Sequence, residues 1–183
     1  MIFECDAEAR ECARRVIAGI ARCRYLLVET CDQRYDALDI HPERISSEHD
    51  PRIARLAGKA DRVLVDAPCS GLGTLRRNPD LKYRQSAETV ANLLEQQHSI
   101  LDTASKLVKP QGRLVYATCS VLPEENELQV ERFLFEHPEF ELVNCAELLQ
   151  SLKIDLDTGK YLRLNSGEHQ TDGFFAAVLQ RKD

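Results

Sequence analysis

The chain has 183 residues and a formal net charge of −6, with 43% hydrophobic and 30% charged residues. This composition is ordinary for a globular domain with its own core, and the charge argues against broad, non-specific binding to nucleic acid. No apolar stretch approaches the ~18–20 residues that cross a bilayer, and the N-terminus lacks the pattern of a signal peptide. The sequence therefore predicts a cytoplasmic protein without a membrane partner.

The first forty residues carry weak structural signals. Residues 7–21 predict an amphipathic helix, and residues 25–28 predict a short strand. Gly19 is the only glycine before Gly58. A loop that holds a nucleotide-like ligand after a strand needs glycines, because they let the backbone approach the ligand closely. We therefore identify no such loop in the sequence.

From Asp61 onward, strand-like and helix-like segments alternate. Arg62–Val65 is a short apolar run that predicts a buried strand. Ser86 is the predicted N-cap of a helix, which Pro110 and Gly112 are predicted to stop. The apolar positions of this helix follow a helical spacing: Val90, Leu93, Leu94, Ile100, Leu101, Ala104, Leu107 and Val108.

A second strand and a second helix come next. Arg113–Ala117 predicts another buried strand. Pro123 is followed by two acidic residues, a pattern typical of a first helical turn, where the helix dipole favours negative charge. The helix is predicted to end at Pro138 and to bury the side chains of Val130, Phe133 and Leu134.

The last part of the chain contains two more predicted strands, Phe140–Val143 and Phe174–Leu179. Residues 151–172 between them predict an irregular polar connection. Strands that alternate with helices indicate a parallel sheet covered by helices. We therefore expect Arg62–Val65 and Arg113–Ala117 to be adjacent parallel strands.

Two cysteines stand where such a sheet binds ligands, outside the carboxyl ends of its strands. Cys69 follows the first predicted strand and Cys119 follows the second. A thiol near a helix N-terminus becomes a useful nucleophile when its thiolate is favoured. A lone cysteine is more often a small buried hydrophobe. The seven cysteines form no CxxC pair, so neither a metal site nor a disulfide framework is predicted.

The charges are unevenly distributed along the chain. Four bases and one acid lie between residues 71 and 84, whereas residues 121–147 contain eight glutamates and one arginine. One face could meet phosphate while another repels it, or both clusters could simply be solvated surface.

Five motifs occur in an order and spacing that resemble those of RNA cytosine-5 methyltransferases, with Sun-type bacterial enzymes as the most similar group. They are Asp66-Ala67-Pro68-Cys69-Ser70-Gly71, Arg76-Arg77-Asn78-Pro79-Asp80, Ala117-Thr118-Cys119-Ser120, Leu122-Pro123-Glu124-Glu125-Asn126-Glu127 and Thr171-Asp172-Gly173-Phe174-Phe175-Ala176. A match of five ordered motifs is far more specific than a lone short pattern.

The resemblance implies an α/β fold: an incomplete Rossmann-like methyltransferase sheet, mostly parallel, with an antiparallel last strand. It also implies methylation at carbon 5 of a cytosine in small-subunit ribosomal RNA, through a covalent cysteine adduct. In this interpretation Cys119 is the nucleophile, Cys69 assists product release, and Asp66 contacts the base.

The implied cofactor is S-adenosyl-L-methionine, with Asp50, Asp66 and Pro68 as its contacts in this chain. No metal is implied. Arg76, Arg77 and Lys82 are the candidate contacts to RNA phosphates.

The family pattern begins only near residue 40, so we expect residues 1–39 to be an atypical N-terminal segment and residues 40–183 to be the C-terminal part of a catalytic domain. Because the glycine-rich loop that holds the methionine part of the cofactor is missing, binding of S-adenosylmethionine could be lost. Two hypotheses follow: a methyltransferase catalytic domain, or a non-catalytic remnant that binds RNA or a protein partner.

Overall fold

The computed structural model describes residue 47 and residues 50–156 and 158–183. The helix predicted over residues 7–21, the strand over 25–28 and the boundary at residue 39 lie outside these residues. The described elements, in chain order, are α1 (Pro51–Ala54), β1 (Ala60–Asp66), α2 (Leu81–Arg84), α3 (Ala87–Ser105), β2 (Val108–Thr118), α4 (Glu127–Glu136), β3 (Phe140–Val143), α5 (Cys145–Ser151), β4 (Leu162–Leu164) and β5 (Phe174–Arg181).

The strands form one five-stranded sheet in the order β1-β2-β5-β3. β1 and β2 pair in parallel, with Asp66 opposite Ala117, which confirms the predicted adjacency of the first two strands. β5 is antiparallel to β2, and its other edge pairs with β4 through its first half and with β3 through its second half. Four strands thus run in one direction and the last strand runs in the other, as the resemblance implied.

Helices cover both faces of the sheet because successive residues of a buried strand point to opposite sides. On one face, Leu114 and Tyr116 belong to a core cluster with Leu101 of α3 and Phe133 of α4. On the other face a second cluster is formed by Val115, Ala117, Cys145, Leu149, Leu162, Ala176 and Val178. The chain therefore buries its central strands on both sides, as expected for the predicted α/β class.

The helix starts follow the local signals in the sequence. Ser86 caps α3 in a reciprocal arrangement, in which its hydroxyl oxygen accepts a hydrogen bond from the Thr89 amide at 3.1 Å and Thr89 Oγ1 accepts from the Ser86 amide at 2.8 Å. The prediction of a cap at Ser86 is confirmed.

The predicted end of α3 is wrong. The helix ends at Ser105, and Val108 is already the first residue of β2. Pro110 and Gly112 lie in an irregularity of the β1–β2 ladder, between the pair Ala60–Val108 and the next regular pair. Extra residues can bulge out of a ladder there, and a proline that cannot donate to the ladder is tolerated in a bulge.

Residues 151–172 are not wholly irregular, because they contain β4. The sequence signals also missed α5, which Asn144 caps by accepting a hydrogen bond from the Ala146 amide at 3.0 Å. Both elements are short, and tertiary packing rather than a repeated apolar pattern stabilises them: Leu149 and Leu162 are each buried in the second core cluster. No helix among the described residues is long and apolar enough to span a membrane.

α4 contains one phenylalanine that is buried in the core and one that is exposed at the surface. Phe133 is fully buried, with its ring centroid 4.4 Å from that of His137 and 5.3 Å from that of Phe140, whereas Phe135 is 88% exposed. We predict that Phe133→Ala lowers the free energy of unfolding by about 3–5 kcal/mol, because it leaves a cavity in the core. Phe135→Ala is the matched control, with an expected change within about 0.5 kcal/mol. Urea denaturation followed by circular dichroism measures both, and equal losses would contradict the packing described.

Candidate active site

The two predicted cysteines lie side by side at the carboxyl ends of β1 and β2. Their sulfur atoms are 3.3 Å apart, within hydrogen-bonding distance, and both side chains are half-buried. The parallel register brings them together. Asp66 of β1 pairs with Ala117 of β2, and Cys69 lies three residues beyond Asp66 while Cys119 lies two residues beyond Ala117.

The two thiols are not equivalent. The hydrogen bond from Cys69 is the main cause that lowers the pKa of Cys119, because it stabilises the Cys119 thiolate. The same hydrogen bond, followed by burial, raises the pKa of Cys69 far above the ordinary range of a thiol. The pair therefore holds its proton on Cys69 and favours negative charge on Cys119.

Asp66, the last residue of β1, is exposed at this end of the sheet. Desolvation of its carboxylate by the surrounding protein raises its pKa. Its charge in turn raises the pKa of Cys119 and so opposes the effect of Cys69 on that thiol. Asp66 therefore lies close enough to the cysteine pair to interact with it electrostatically.

The loop that carries Cys69 is held at several points of its backbone. The side-chain amide of Gln97 donates a hydrogen bond to the Pro68 carbonyl at 2.9 Å, and the side-chain amide of Gln85 donates to the Ser70 carbonyl at 2.8 Å. The amide of Ala67 donates to the Ala117 carbonyl at 2.9 Å, which extends the pairing with β2 beyond the end of β1.

The loop that carries Cys119 is held by Asn126 and by a close backbone contact. The Asn126 side chain donates to the Ser120 carbonyl at 3.1 Å and accepts from the Thr118 hydroxyl at 2.5 Å. The Gly73 amide donates to the Cys119 carbonyl at 2.9 Å. A Cβ atom at Gly73 would lie 2.7 Å from that carbonyl oxygen and 2.4 Å from the Gly173 carbonyl oxygen, so only glycine fits at this position.

Glu125 joins the two loops, a role that the sequence reasoning missed. The first-turn pattern suggested that the acids after Pro123 lie near a helix N-terminus at the surface, but only Glu124 is exposed, and Glu125 is fully buried. Residues 123–125 form a 3-10 turn before α4, and this turn directs the Glu125 carboxylate towards both cysteine loops. Its place within one of the five motifs was the available signal.

The predicted RNA-contacting bases differ in their partners. The Arg77 Nε donates to Asp172 Oδ2 at 2.6 Å, and Asp172 is buried, whereas Arg76 is 59% exposed with its Nη2 atom 3.8 Å from Asp172 Oδ1. Lys82 is exposed, with its amino nitrogen 4.8 Å from the ring centroid of Tyr83. The second and fifth motifs are therefore joined by an ion pair.

The three predicted cofactor contacts have different surroundings. Asp50 is buried, and its carboxylate caps α1 and accepts from the Arg52 guanidinium at 2.9 and 2.8 Å. Asp66 is the last residue of β1, and the half-buried Pro68 lies two residues beyond it. β1 is an edge strand among the described residues. Within the described part of the chain, no group of three or more histidine, cysteine or acidic side chains is arranged to hold a metal ion.

Comparison with known sequences identifies one family. The profile described as 16S rRNA methyltransferase RsmB/F matches residues 14–180, which includes part of segment 1–39. The chain is 44% identical over 121 residues to a probable ribosomal RNA small subunit methyltransferase B of a Synechocystis species, an alignment that covers 66% of this chain and 27% of the relative. It is 43% identical over 122 residues to ribosomal RNA small subunit methyltransferase B of Vibrio cholerae, covering 67% and 26%. The chain thus spans about a quarter of the length of these relatives.

Comparison with solved structures leads to the same fold. A methyltransferase homolog protein from Pyrococcus horikoshii is 29% identical and superimposes with a TM-score of 0.60, over 79% of this chain and 45% of that protein.

The asymmetry of the thiol pair yields a prediction that needs neither RNA nor cofactor. Cys69→Ala removes the hydrogen bond that lowers the pKa of Cys119, so that pKa should rise and the thiolate fraction at neutral pH should fall. We expect slower alkylation of Cys119 by iodoacetamide at pH 7, with its pH profile displaced to higher pH, as measured by peptide mass spectrometry. Cys145→Ala, a substitution of a buried cysteine that lies in the second core cluster, is the control. If the midpoint of the Cys119 alkylation profile is unchanged or lies at lower pH in the Cys69 variant, this account of the pair is contradicted.

Proposed function

The chain belongs to the RsmB/F family of 16S rRNA methyltransferases, and we propose that its two-cysteine site methylates carbon 5 of a cytosine in small-subunit ribosomal RNA. The observation that carries the proposal is the 3.3 Å contact between the sulfur atoms of Cys69 and Cys119, at the carboxyl ends of two parallel strands. A protein that acts on ribosomal RNA would work in the cytoplasm.

Chemistry at carbon 5 of cytosine needs prior attack at carbon 6, because carbon 5 is a poor nucleophile in the intact ring. In the proposed mechanism the Cys119 thiolate forms a bond to carbon 6, which makes carbon 5 enamine-like and able to accept a methyl group. S-adenosylmethionine would supply that methyl group. Asp66, exposed at the end of β1, would hydrogen-bond the ring nitrogen and amino edge of the base and stabilise the adduct.

Release of the product requires that the bond between the Cys119 sulfur and carbon 6 is broken. The proton on carbon 5 would pass to solvent water as base, the bond between carbon 6 and sulfur breaks, and the electron pair of that bond returns to Cys119 as a thiolate. The S–H group of Cys69, within hydrogen-bonding distance of the departing sulfur, is in position to stabilise that thiolate by donating a hydrogen bond while keeping its proton. Neighbouring thiols thus take separate roles in attack and release.

Contacts to RNA would come from the basic segment next to the site. Arg76 and Lys82 are exposed and would be accessible to phosphates. The guanidinium of Arg77 forms an ion pair with Asp172 and is only partly exposed, so it would contact phosphate less fully. The target cytosine must be unpaired or flipped out, because a base stacked within a helix cannot reach two half-buried thiols.

The division of labour between the cysteines is testable with a denaturing gel. With S-adenosylmethionine and small-subunit ribosomal RNA present, Cys119→Ala should abolish methylation and any covalent RNA adduct, because the attacking sulfur is gone. Cys69→Ala should let the adduct form and then persist, because only its breakdown is impaired. Accumulation of adduct in the Cys119 variant instead would reverse the two assignments.

Cofactor affinity is a separate prediction. Because only one glycine precedes Gly58, the sequence shows no glycine-rich loop of the kind whose backbone amides hold the methionine part of S-adenosylmethionine. We expect isothermal titration calorimetry of the 183-residue chain to show weak or no binding. A micromolar dissociation constant would mean that residues 1–39 provide a substitute site, and would also argue against the hypothesis of a non-catalytic remnant.

A further inference from the structure

The Glu125 carboxylate is the most completely engaged polar group next to the cysteine pair. It is fully buried and accepts four hydrogen bonds. Its Oε1 atom accepts from the Ser70 amide at 2.8 Å and from the Gln97 side chain at 3.0 Å. Its Oε2 atom accepts from the Ser70 hydroxyl at 2.5 Å and from the Ser120 hydroxyl. A buried carboxylate is costly unless it is satisfied in this way.

The two serine donors occupy equivalent positions in the sequence, each directly after one of the two cysteines. Ser70 directly follows Cys69, and Ser120 directly follows Cys119. Gln97 also donates to the carbonyl of Pro68, the residue before Cys69. One carboxylate therefore holds the residue after each of the two cysteines, and the two serine hydroxyl oxygens lie 3.2 Å apart. Both serines are thus held by the same carboxylate.

Electrostatics excludes the simplest other role for Glu125. Its negative charge raises the pKa of Cys119, as does the charge of Asp66. A carboxylate placed only by its charge would thus work against the thiolate that attack requires. What Glu125 offers the site is the geometry that its hydrogen bonds impose on the two loops.

We propose that Glu125 is a positioning residue, which ties the two cysteine loops together through Ser70 and Ser120 and so holds the thiol of Cys69 in hydrogen-bonding contact with that of Cys119. The catalytic importance of this contact rests on the function proposed above. The contact itself can be measured without RNA or cofactor, so failure of the positioning role and failure of the proposed function give different results.

The test compares Glu125→Ala with Glu124→Ala, an exposed glutamate in the same turn, in the 183-residue chain. Alkylation of Cys119 by iodoacetamide is followed against pH by peptide mass spectrometry, and folding is checked by circular dichroism. Glu125→Ala should displace the midpoint of the Cys119 alkylation profile upward by about one pH unit, because the hydrogen bond from Cys69 is weakened. It should also slow formation of a Cys69–Cys119 disulfide by diamide. Glu124→Ala should match the unmodified chain in both measurements.

The direction of the shift distinguishes positioning from charge. Glu125→Gln keeps an acceptor for the Ser70 amide and removes the charge, so the Cys119 profile should stay in place or move to lower pH. If Glu125→Ala does not fold, the double variant Ser70→Ala, Ser120→Ala removes both hydroxyl donors and leaves the carboxylate, and it should also shift the profile upward. A folded Glu125→Ala chain with an unchanged or lowered profile overturns the proposal, and so does a folded double variant without a shift.

Discussion

The parallel pairing of β1 with β2 is the constraint on which the site depends. Two strands that run in the same direction end at the same edge of the sheet, and with Asp66 opposite Ala117 the loops that follow them start level with each other. Fifty residues separate the two cysteines in the sequence, yet their sulfurs are 3.3 Å apart. A slip of one residue in this register would point the core side chains of one strand to the wrong face, so core packing and site geometry are set together.

The loops beyond the strands have no regular ladder to stabilise them, and they are held by contacts between motifs. The second motif reaches the fifth through the ion pair of Arg77 with Asp172, and Gly73 packs against Gly173 with a hydrogen bond of 2.8 Å from the Gly173 amide to the Gly73 carbonyl. The fourth motif supplies Glu125 and Asn126 to the two cysteine loops. Each motif therefore satisfies backbone or side-chain groups of another, which explains why all five occur together in this chain.

Charge is stabilised unequally on the two thiols. The hydrogen bond between Cys69 and Cys119 lowers the pKa of Cys119, and the carboxylates of Asp66 and Glu125 raise it and so limit how far the thiolate is stabilised. A thiolate that is stabilised too strongly is a weaker nucleophile, whereas a thiol of lower pKa departs faster, so in the proposed function the carboxylates would favour attack and the hydrogen bond with Cys69 would favour departure. Exposed bases at Arg76 and Lys82 accompany the site in a chain whose net charge is −6. Positive charge is thus local, and in the proposed function it would favour contact with RNA near the site over general attraction to nucleic acid.

The α/β class, the main strands and the two cysteines at the strand ends could be predicted from the sequence, because buried strands and long amphipathic helices leave periodic apolar patterns. Reasoning from the sequence misplaced the end of α3, since Pro110 and Gly112 are as typical of a bulge as of a helix stop. It missed α5 and β4, which are short and depend on packing against the second core cluster. That Glu125 is buried while Glu124 is exposed became visible only in the folded chain. The two glutamates are adjacent in the sequence, and nothing in the local pattern distinguishes them. Glu125 can be buried because folding brings four hydrogen-bond donors, from Ser70, Gln97 and Ser120, to its carboxylate.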